Sequence, residues 1–182
     1  MENLDKVKKQ YFASVINKID DQTLKDILNV EEKSFPEQMQ SDEDDLKESL
    51  KNKRGIQIIA KDEKGEIVSY LSSLPLKDTF KNLKNYDTEL KSEKDVLYIE
   101  SVATIPENRD IKIFLKGFEL IKQEAQKRGF KKISAHVRVS NGLSGVLQKM
   151  GAKKLRTIEN WYDFNEPFDY LEFEVENLNN KK

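Results

Sequence analysis

The sequence has no cysteine and one histidine, His136, in 182 residues. Without cysteine there is no disulfide framework, no thiolate nucleophile and no cysteine-ligated metal site, and one imidazole cannot build a histidine-rich zinc site. Glycine and proline are scarce, at 7 and 4, so no low-complexity linker divides the chain and wholesale disorder is not expected. No run approaches the roughly 18 consecutive apolar residues of a membrane helix. The opening MENLDKVKKQYF lacks the apolar core of a secretory leader. A surplus of one charge is missing too, since 32 Lys and Arg stand against 33 Asp and Glu, which argues against a nucleic-acid binder. The expectation is a soluble cytoplasmic protein of one domain spanning 1–182, with frayed tails at 1–10 and 177–182 and enough length to bury its own core.

What is present is a regular alternation of elements. Residues 11–16 form a short apolar run that reads as a strand, with a helix as the alternative. From Asp21, Leu24, Ile27 and Leu28 follow helical spacing until Phe35-Pro36. Ser41 with Asp44 three residues on resembles a capping box, and Gly55 is the expected stop of that second helix. IQIIAK (56–61) and EIVSYLSS (66–73) read as a hairpin turning at Gly65. Residues 75–94 form a polar, lysine-rich insertion with one short helix. VLYIESVATI (96–105) reads as a strand buried on both faces. A helix over about 109–128 follows, with Phe114, Gly117, Phe118, Ile121 and Ala125 on its apolar face and Gly129 as its stop. A strand (132–138), a helix (142–150) ended by Gly151, and two extended runs (154–158 and 170–175) complete the chain. This order predicts an α/β fold with a mixed sheet of six to seven strands and helices on both faces.

Three segments, in this order and spacing, resemble the GNAT superfamily of acyl-CoA-dependent N-acetyltransferases over roughly residues 11–176. ILNVEEKSFPE is similar to that family's first helix and its approach to the acceptor site. YIESVATIPENR is similar to its fourth strand and the entry to the cofactor helix. VRVSN, followed by a helix closing in KMGA, is similar to its fifth strand and last helix. The resemblance implies a splayed central strand pair. Pantetheine of the co-substrate acetyl-CoA would pair there with the backbone of Val102, Ala103 and Thr104, and a helix N-terminus would face the pyrophosphate. It carries cofactor contacts onto Arg109, Asp110, Ile111, Lys112, Ile113 and Phe114, and onto Asn141 beside the pantetheine arm. No metal is implied. The family's loop reads R/Q-x-x-G-x-G/A; here Arg109 is kept, and both glycine positions carry side chains, Lys112 and Phe114. Either a lysine head group replaces backbone contacts, or Phe114 fills the groove and the chain is a catalytically inactive binding module.

Transfer of an acetyl group to an amine needs a base for the ammonium proton and an acid for the leaving thiolate. Glu100, a carboxylate inside an apolar strand, is the candidate base; alternation places it on one face with Tyr98, Val102 and Thr104. Glu31 and Glu32 are lesser candidates for touching the acceptor. The family commonly carries an acidic tyrosine on its last helix. The run VLQKMGA has no hydroxyl there, so Tyr162 is the candidate acid, with Tyr98 as the alternative. His136 reads as a structural strand residue, with a general base as the alternative. Asn141 reads equally as a helix N-cap. Trp161, Tyr162, Phe164 and Phe168 line an acceptor pocket, a dimer surface or the core. Between positions 109 and 132, eight basic residues oppose three acids, so the remainder is acidic, which suits a cationic acceptor. The expected acceptor is a small-molecule or peptide amine, in a monomer or homodimer without nucleic-acid or membrane partners.

Overall fold

A computed structural model describes residues 10–175, so the tails expected to fray lie, save Gln10, outside the described residues. The elements are β1 (Phe12–Ile16), α1 (Asp21–Ser34), α2 (Glu43–Lys51), β2 (Ile56–Lys61), β3 (Ile67–Pro75), α3 (Leu76–Leu83), β4 (Val96–Thr104), α4 (Ile111–Lys127), β5 (Lys132–Arg138), α5 (Leu143–Lys149), β6 (Lys153–Ile158) and β7 (Phe168–Glu174). Seven strands form one sheet in the order β1-β2-β3-β4-β5-β7-β6. Only β4 and β5 run parallel. The mixed α/β sheet agrees with the sequence reading.

The helices divide between the two faces because their apolar stripes do. α4 buries Ile113, Phe114, Gly117, Phe118, Ile121 and Ala125, a spacing that makes one continuous stripe. That stripe packs on Ile58, Leu71 and Ile99 of the sheet, with α5 adding Leu147. On the other face α1 and α2 cover Ile59, Tyr70 and Ala103, while α3 and the aromatic loop cover Tyr98 and Tyr170.

Three local expectations are corrected. The cap of α2 is Asp42, whose carboxylate accepts from the Asp44 amide; Ser41 instead donates to Glu31 at 2.7 Å. That helix ends at Lys51 with Asn52 as its cap, before Gly55. α4 begins at Ile111, capped by Asp110, after a separate 3₁₀ turn at Pro106–Asn108.

The decisive local feature lies in β4. Ser72 pairs with Ser101 and Ser73 with Ile99, so Glu100 is an extra residue in the ladder. Such a bulge turns consecutive side chains to the same face. Glu100 and Ser101 therefore both face α1–α3, where Ser101 meets the Tyr70 hydroxyl at 2.7 Å, and Val102 turns to the α4 side. This corrects the simple alternation that grouped Glu100 with Val102 and Thr104. β4 also leaves β5 early, since their pairing runs only from Val96↔Lys132 to Ile99↔Ala135, whereas β5 stays paired to β7 as far as Arg138.

Gly55 sits where no side chain fits, because an added Cβ would lie 2.5 Å from the Ser73 carbonyl oxygen on β3. Gly55→Ala is expected to destabilise by about 1–3 kcal/mol through overpacking against backbone, read as a lower urea midpoint at unchanged slope. Gly145→Ala in α5, where a Cβ meets nothing within 4 Å, is expected to leave the midpoint unchanged or raise it.

Candidate active site

Where β4 parts from β5, a cavity of about 560 Å³ opens on the face carrying α1–α3. Its floor is Tyr98, Glu100 and Ser101 of β4, and its sides are α2, α3 and the turn at Trp161–Asp163. This volume lies in the range of small-molecule sites.

Glu100 is held rather than free. Ser49 of α2 donates to its Oε2, and Ser49 also meets Ser72 at 3.1 Å. Burial raises the Glu100 pKa above its usual 4.5, although hydrogen bonds from Ser49 and Thr79 oppose that shift. A carboxylate poised this way is a better proton acceptor near neutrality than an exposed one.

Tyr98, on the same face, leads into a buried polar chain. Its hydroxyl lies 3.0 Å from His136 Nδ1, and His136 Nε2 lies 3.1 Å from Asp87 Oδ2. Arg156 grips the same carboxylate, its Nε at 2.9 and 3.0 Å from the two oxygens. Burial alone would raise the Asp87 pKa, but the His136 and Arg156 hydrogen bonds and the Arg156 charge hold it at about 2. An ionised carboxylate only accepts, so His136 carries its proton on Nε2 and Nδ1 accepts from Tyr98. Burial lowers the His136 pKa and keeps the ring neutral, against the opposing pull of Asp87. The Trp161 ring stacks on that imidazole with centroids 3.7 Å apart. His136 thus has the structural role expected of it, and through Tyr98 it also reaches the cavity. Asp87 and Arg156 were not singled out from the sequence: they lie 69 residues apart in segments without a motif.

Tyr162 reaches the cavity from a strained loop. It has φ 50° and ψ 31°, and Asp163 and Asn165 have φ 59° and 54°, left-handed conformations that cost of order 1–3 kcal/mol each outside glycine. Asn160 ties the loop, accepting the Asn165 amide at 2.9 Å. The Tyr162 ring stacks on Tyr86 at 3.9 Å. Trp161 and Phe164 line the cavity as well, whereas Phe168 belongs to the aromatic packing behind it. Glu31 is 2% exposed and sits behind the wall, joined to it through Ser41; Glu32 is exposed on the surface.

The residues expected around the cofactor fall into two groups. Val102, Ala103 and Thr104 pair with Leu71, Tyr70 and Ser69 on β3, and on their other side β5 no longer follows. At the start of α4, the Lys112 amide is taken by the Asp110 carboxylate at 2.9 Å and the Ile113 amide by the Asp110 carbonyl at 2.9 Å. Phe114 packs inward on Phe118, with ring centroids 5.6 Å apart, and Ile113 is buried. Arg109 spans from the Thr104 carbonyl at 3.4 Å to the Ser34 carbonyl at 3.2 Å. Ile111 and Lys112 are exposed. Asn141 accepts the Leu143 amide at 3.0 Å, while the αL cap position of α5 belongs to Gly142.

The buried chain sets an acid limit on stability. His136 has a folded pKa below 6.5, so the folded state binds fewer protons, and its contribution is lost as pH falls from 6.5 toward the folded value. Asp87 is depressed from 3.8 to about 2, so its contribution is lost as pH falls below 3.8. Melting temperature is expected to drop between pH 7.5 and 5, and this step disappears in His136→Gln. Asp87→Asn, which strands Arg156, is expected to cost about 3–5 kcal/mol in denaturant titration.

No curated protein sequence matches the chain. Among solved structures, the ribosomal-protein-S18-alanine N-acetyltransferase from Escherichia coli superposes with TM-score 0.69 at 14% identity, covering 91% of this chain and 94% of that one. An aminoglycoside 6'-N-acetyltransferase complexed with coenzyme A gives 0.68 at 12%, covering 90% and 97%. Arabidopsis thaliana NAA60 in complex with acetyl-CoA gives 0.70 at 11%, covering 92% and 99%. These likenesses show a shared fold. The model of the acetyltransferase (GNAT) family matches residues 23–151, from α1 through the last helix, and the chain belongs to that family.

Proposed function

We propose that the protein transfers the acetyl group of acetyl-CoA to a primary amine by direct attack, without a covalent enzyme intermediate. The observation that carries this reading is the unpaired edge of β4 beside a cavity onto which Glu100, Tyr98 and Tyr162 converge. Two of the structural neighbours were solved with coenzyme A or acetyl-CoA, which supports a CoA-type co-substrate.

The residues present fit such a molecule at its pantetheine end, where the side of residues 102–104 that β5 leaves unpaired offers backbone partners to an extended chain, the Thr104 carbonyl already accepting from Arg109. At the phosphate end the fit rests on side chains. Arg109 and Lys112 make no ion pair among the described residues, so neither charge is neutralised, and the Arg109 guanidinium is held by the Thr104 and Ser34 carbonyls. Bound acetyl-CoA supplies an activated thioester. Glu100 takes the ammonium proton of the acceptor at its carboxylate. Tyr98, which donates to His136, keeps its oxygen lone pairs for the same amine and orients it. The Tyr162 phenol, its pKa raised by burial, holds a proton that it can return to the departing sulfur. Asn141, engaged with the α5 amide, is left one amide group for the pantetheine arm. The acceptor class is a small-molecule or peptide amine.

A catalytically inactive binding module is the second reading, favoured by the side chains at both glycine positions. Phe114, however, packs on the α4 side with Val102 and Ile58 around a void of about 10 Å³, on the opposite face from Glu100.

Calorimetry with acetyl-CoA is expected to give saturable binding that Arg109→Glu abolishes; no heat at millimolar acetyl-CoA would refute the proposal. With an amine panel and thiol release as readout, Glu100→Gln is expected to lower kcat by roughly 10²–10⁴-fold while leaving acetyl-CoA affinity unchanged. Because the Glu100 pKa is raised and its ionised form is the base, kcat/KM falls with falling pH at a midpoint above 4.5.

A further inference from the structure

We infer that Tyr98, His136 and Asp87 form a proton relay for the acceptor nitrogen, in which the Tyr98 oxygen meets the nitrogen and His136 and Asp87 act through that oxygen. The inference rests on the acetyl-transfer reading and adds a second proton acceptor to the one already placed at Glu100.

An ammonium acceptor gives up two protons from one nitrogen. The first frees its lone pair, and the second leaves as the C–N bond forms and the C–S bond breaks. Glu100 takes the first, and a carboxyl group that has just been protonated is no base for the second. Tyr98 lines the same cavity as Glu100, and the Glu100 charge acts on its phenol. Behind that phenol, His136 Nδ1 lies 3.0 Å from the hydroxyl and His136 Nε2 lies 3.1 Å from Asp87 Oδ2. The His136 and Asp87 side chains are 0% and 2% exposed.

Asp87 does not need the imidazole for its own sake, because Arg156 Nε already reaches both carboxylate oxygens, at 2.9 and 3.0 Å. What the histidine adds to that pair is an acceptor nitrogen aimed at a phenol of the cavity wall, with the ring's own proton fixed behind it. Trp161 covers one face of the ring, with centroids 3.7 Å apart. The titratable and charged groups around the imidazole are Tyr98 of β4, Tyr170 of β7, Arg156 of β6 and Asp87 from the segment after α3. Of these, Tyr98 is the one that lines the cavity. Burial and Arg156 oppose an imidazolium and Asp87 favours it, so the ring rests neutral and holds a second proton only in passing.

As the C–N bond forms, the Tyr98 oxygen accepts the second proton of the nitrogen while its own proton passes to His136 Nδ1. No phenolate is required, and burial holds the Tyr98 phenol well above its usual range. The imidazolium then donates at both nitrogens, to Tyr98 and to Asp87. Tyr162, which interacts electrostatically with Tyr98, gives its proton to the departing sulfur and is restored by the same path run backwards. One of the two protons therefore ends on the thiol, and the other leaves Glu100 for solvent.

The test is the acid limb of kcat, read by thiol release with an amine panel at saturating acetyl-CoA, for the unaltered protein, His136→Gln and Tyr98→Phe. Glu100 must be ionised and His136 neutral, so log kcat of the unaltered protein is expected to fall toward a slope of about two per pH unit. Both variants are expected to show a slope of about one, with kcat above the limb lower by roughly 10²–10⁴-fold. Combining the substitutions adds no further loss, because both cut one path, and KM for the amine and calorimetric acetyl-CoA affinity stay unchanged. The chain has one histidine, so its nitrogen-15 resonances are read without ambiguity and are expected to show the resting proton on Nε2 and Nδ1 bare. A resting proton on Nδ1, an unchanged acid slope in the variants, or a kcat loss matched by lost acetyl-CoA affinity overturns the relay and leaves the transfer reading standing. If His136→Gln does not fold, Tyr98→Phe, which removes a single oxygen, decides by the same slope. No thiol release from any amine by the unaltered protein overturns the transfer reading, and the relay with it.

Discussion

The site depends on one constraint, that β4 cannot follow β5 beyond Ile99 and Ala135. Up to that point the parallel pair is an ordinary buried ladder, with Val96, Leu97 and Ile133 nearly inaccessible. At the next residue the β3–β4 ladder carries the extra Glu100. The bulge increases local twist, and twist in one strand of a parallel pair is what separates it from its neighbour. The same distortion thus opens the backbone edge and turns Glu100 and Ser101 together into the cavity. A regular ladder would have sent one of these two side chains to the α4 core, where an unpaired carboxylate is costly.

A split in a central sheet must be supported from behind, and here the support is polar. Asp87 is 3% exposed and joins three segments through His136 and Arg156, with Tyr98 at the end of the chain. Burying this charge is tolerable because each of its oxygens has a partner. The aromatic loop stacks over it through Trp161, so the loop that presents Tyr162 is anchored on the group that orients Tyr98. The left-handed residues at 162, 163 and 165 persist because this packing and the Asn160 hydrogen bond determine their positions.

The fold was legible because its signals are local. The apolar stripe of α4, the Gly65 turn and the run at 96–105 each state their element in a few residues, and the bounds of β5 agree with the sequence reading. Within the site, Glu100 and Tyr162 were singled out for their chemistry, and both line the cavity. What sequence could not carry was register. Alternation grouped Glu100 with Val102, and only the pairing of Ser72 and Ser73 reveals the skipped residue. Asp87 and Arg156 look like two more charges in a chain that is 36% charged; their meaning arises from contacts 69 positions apart. Ser41 and Asp42 show the same limit at short range, since either could cap α2 and the choice is made by Glu31, which takes the serine for itself.

Charge follows the same logic. The basic surplus read between 109 and 132 is largely answered in three dimensions: Lys122, Lys127 and Arg128 pair within α4, and Lys131 and Lys132 pair with Asp95, Glu93 and Glu172 outside it. These are exposed or half-exposed pairs of small individual worth, but they cancel the local field. The cations of this stretch without an ion pair among the described residues are Arg109, Lys112 and Lys116, near the open edge of β4, and of these Arg109 and Lys116 donate to backbone carbonyls. On the other face of the sheet, Asp42, Asp45 and Glu48 make no ion pair among the described residues. The overall balance of 32 bases and 33 acids therefore conceals a polarity across β4, with uncompensated positive charge beside the strand's free edge and uncompensated negative charge over its bulge. An anionic donor and a cationic acceptor would each meet its complement there and be repelled from the other's place, so that the fields order the two molecules before any hydrogen bond selects them.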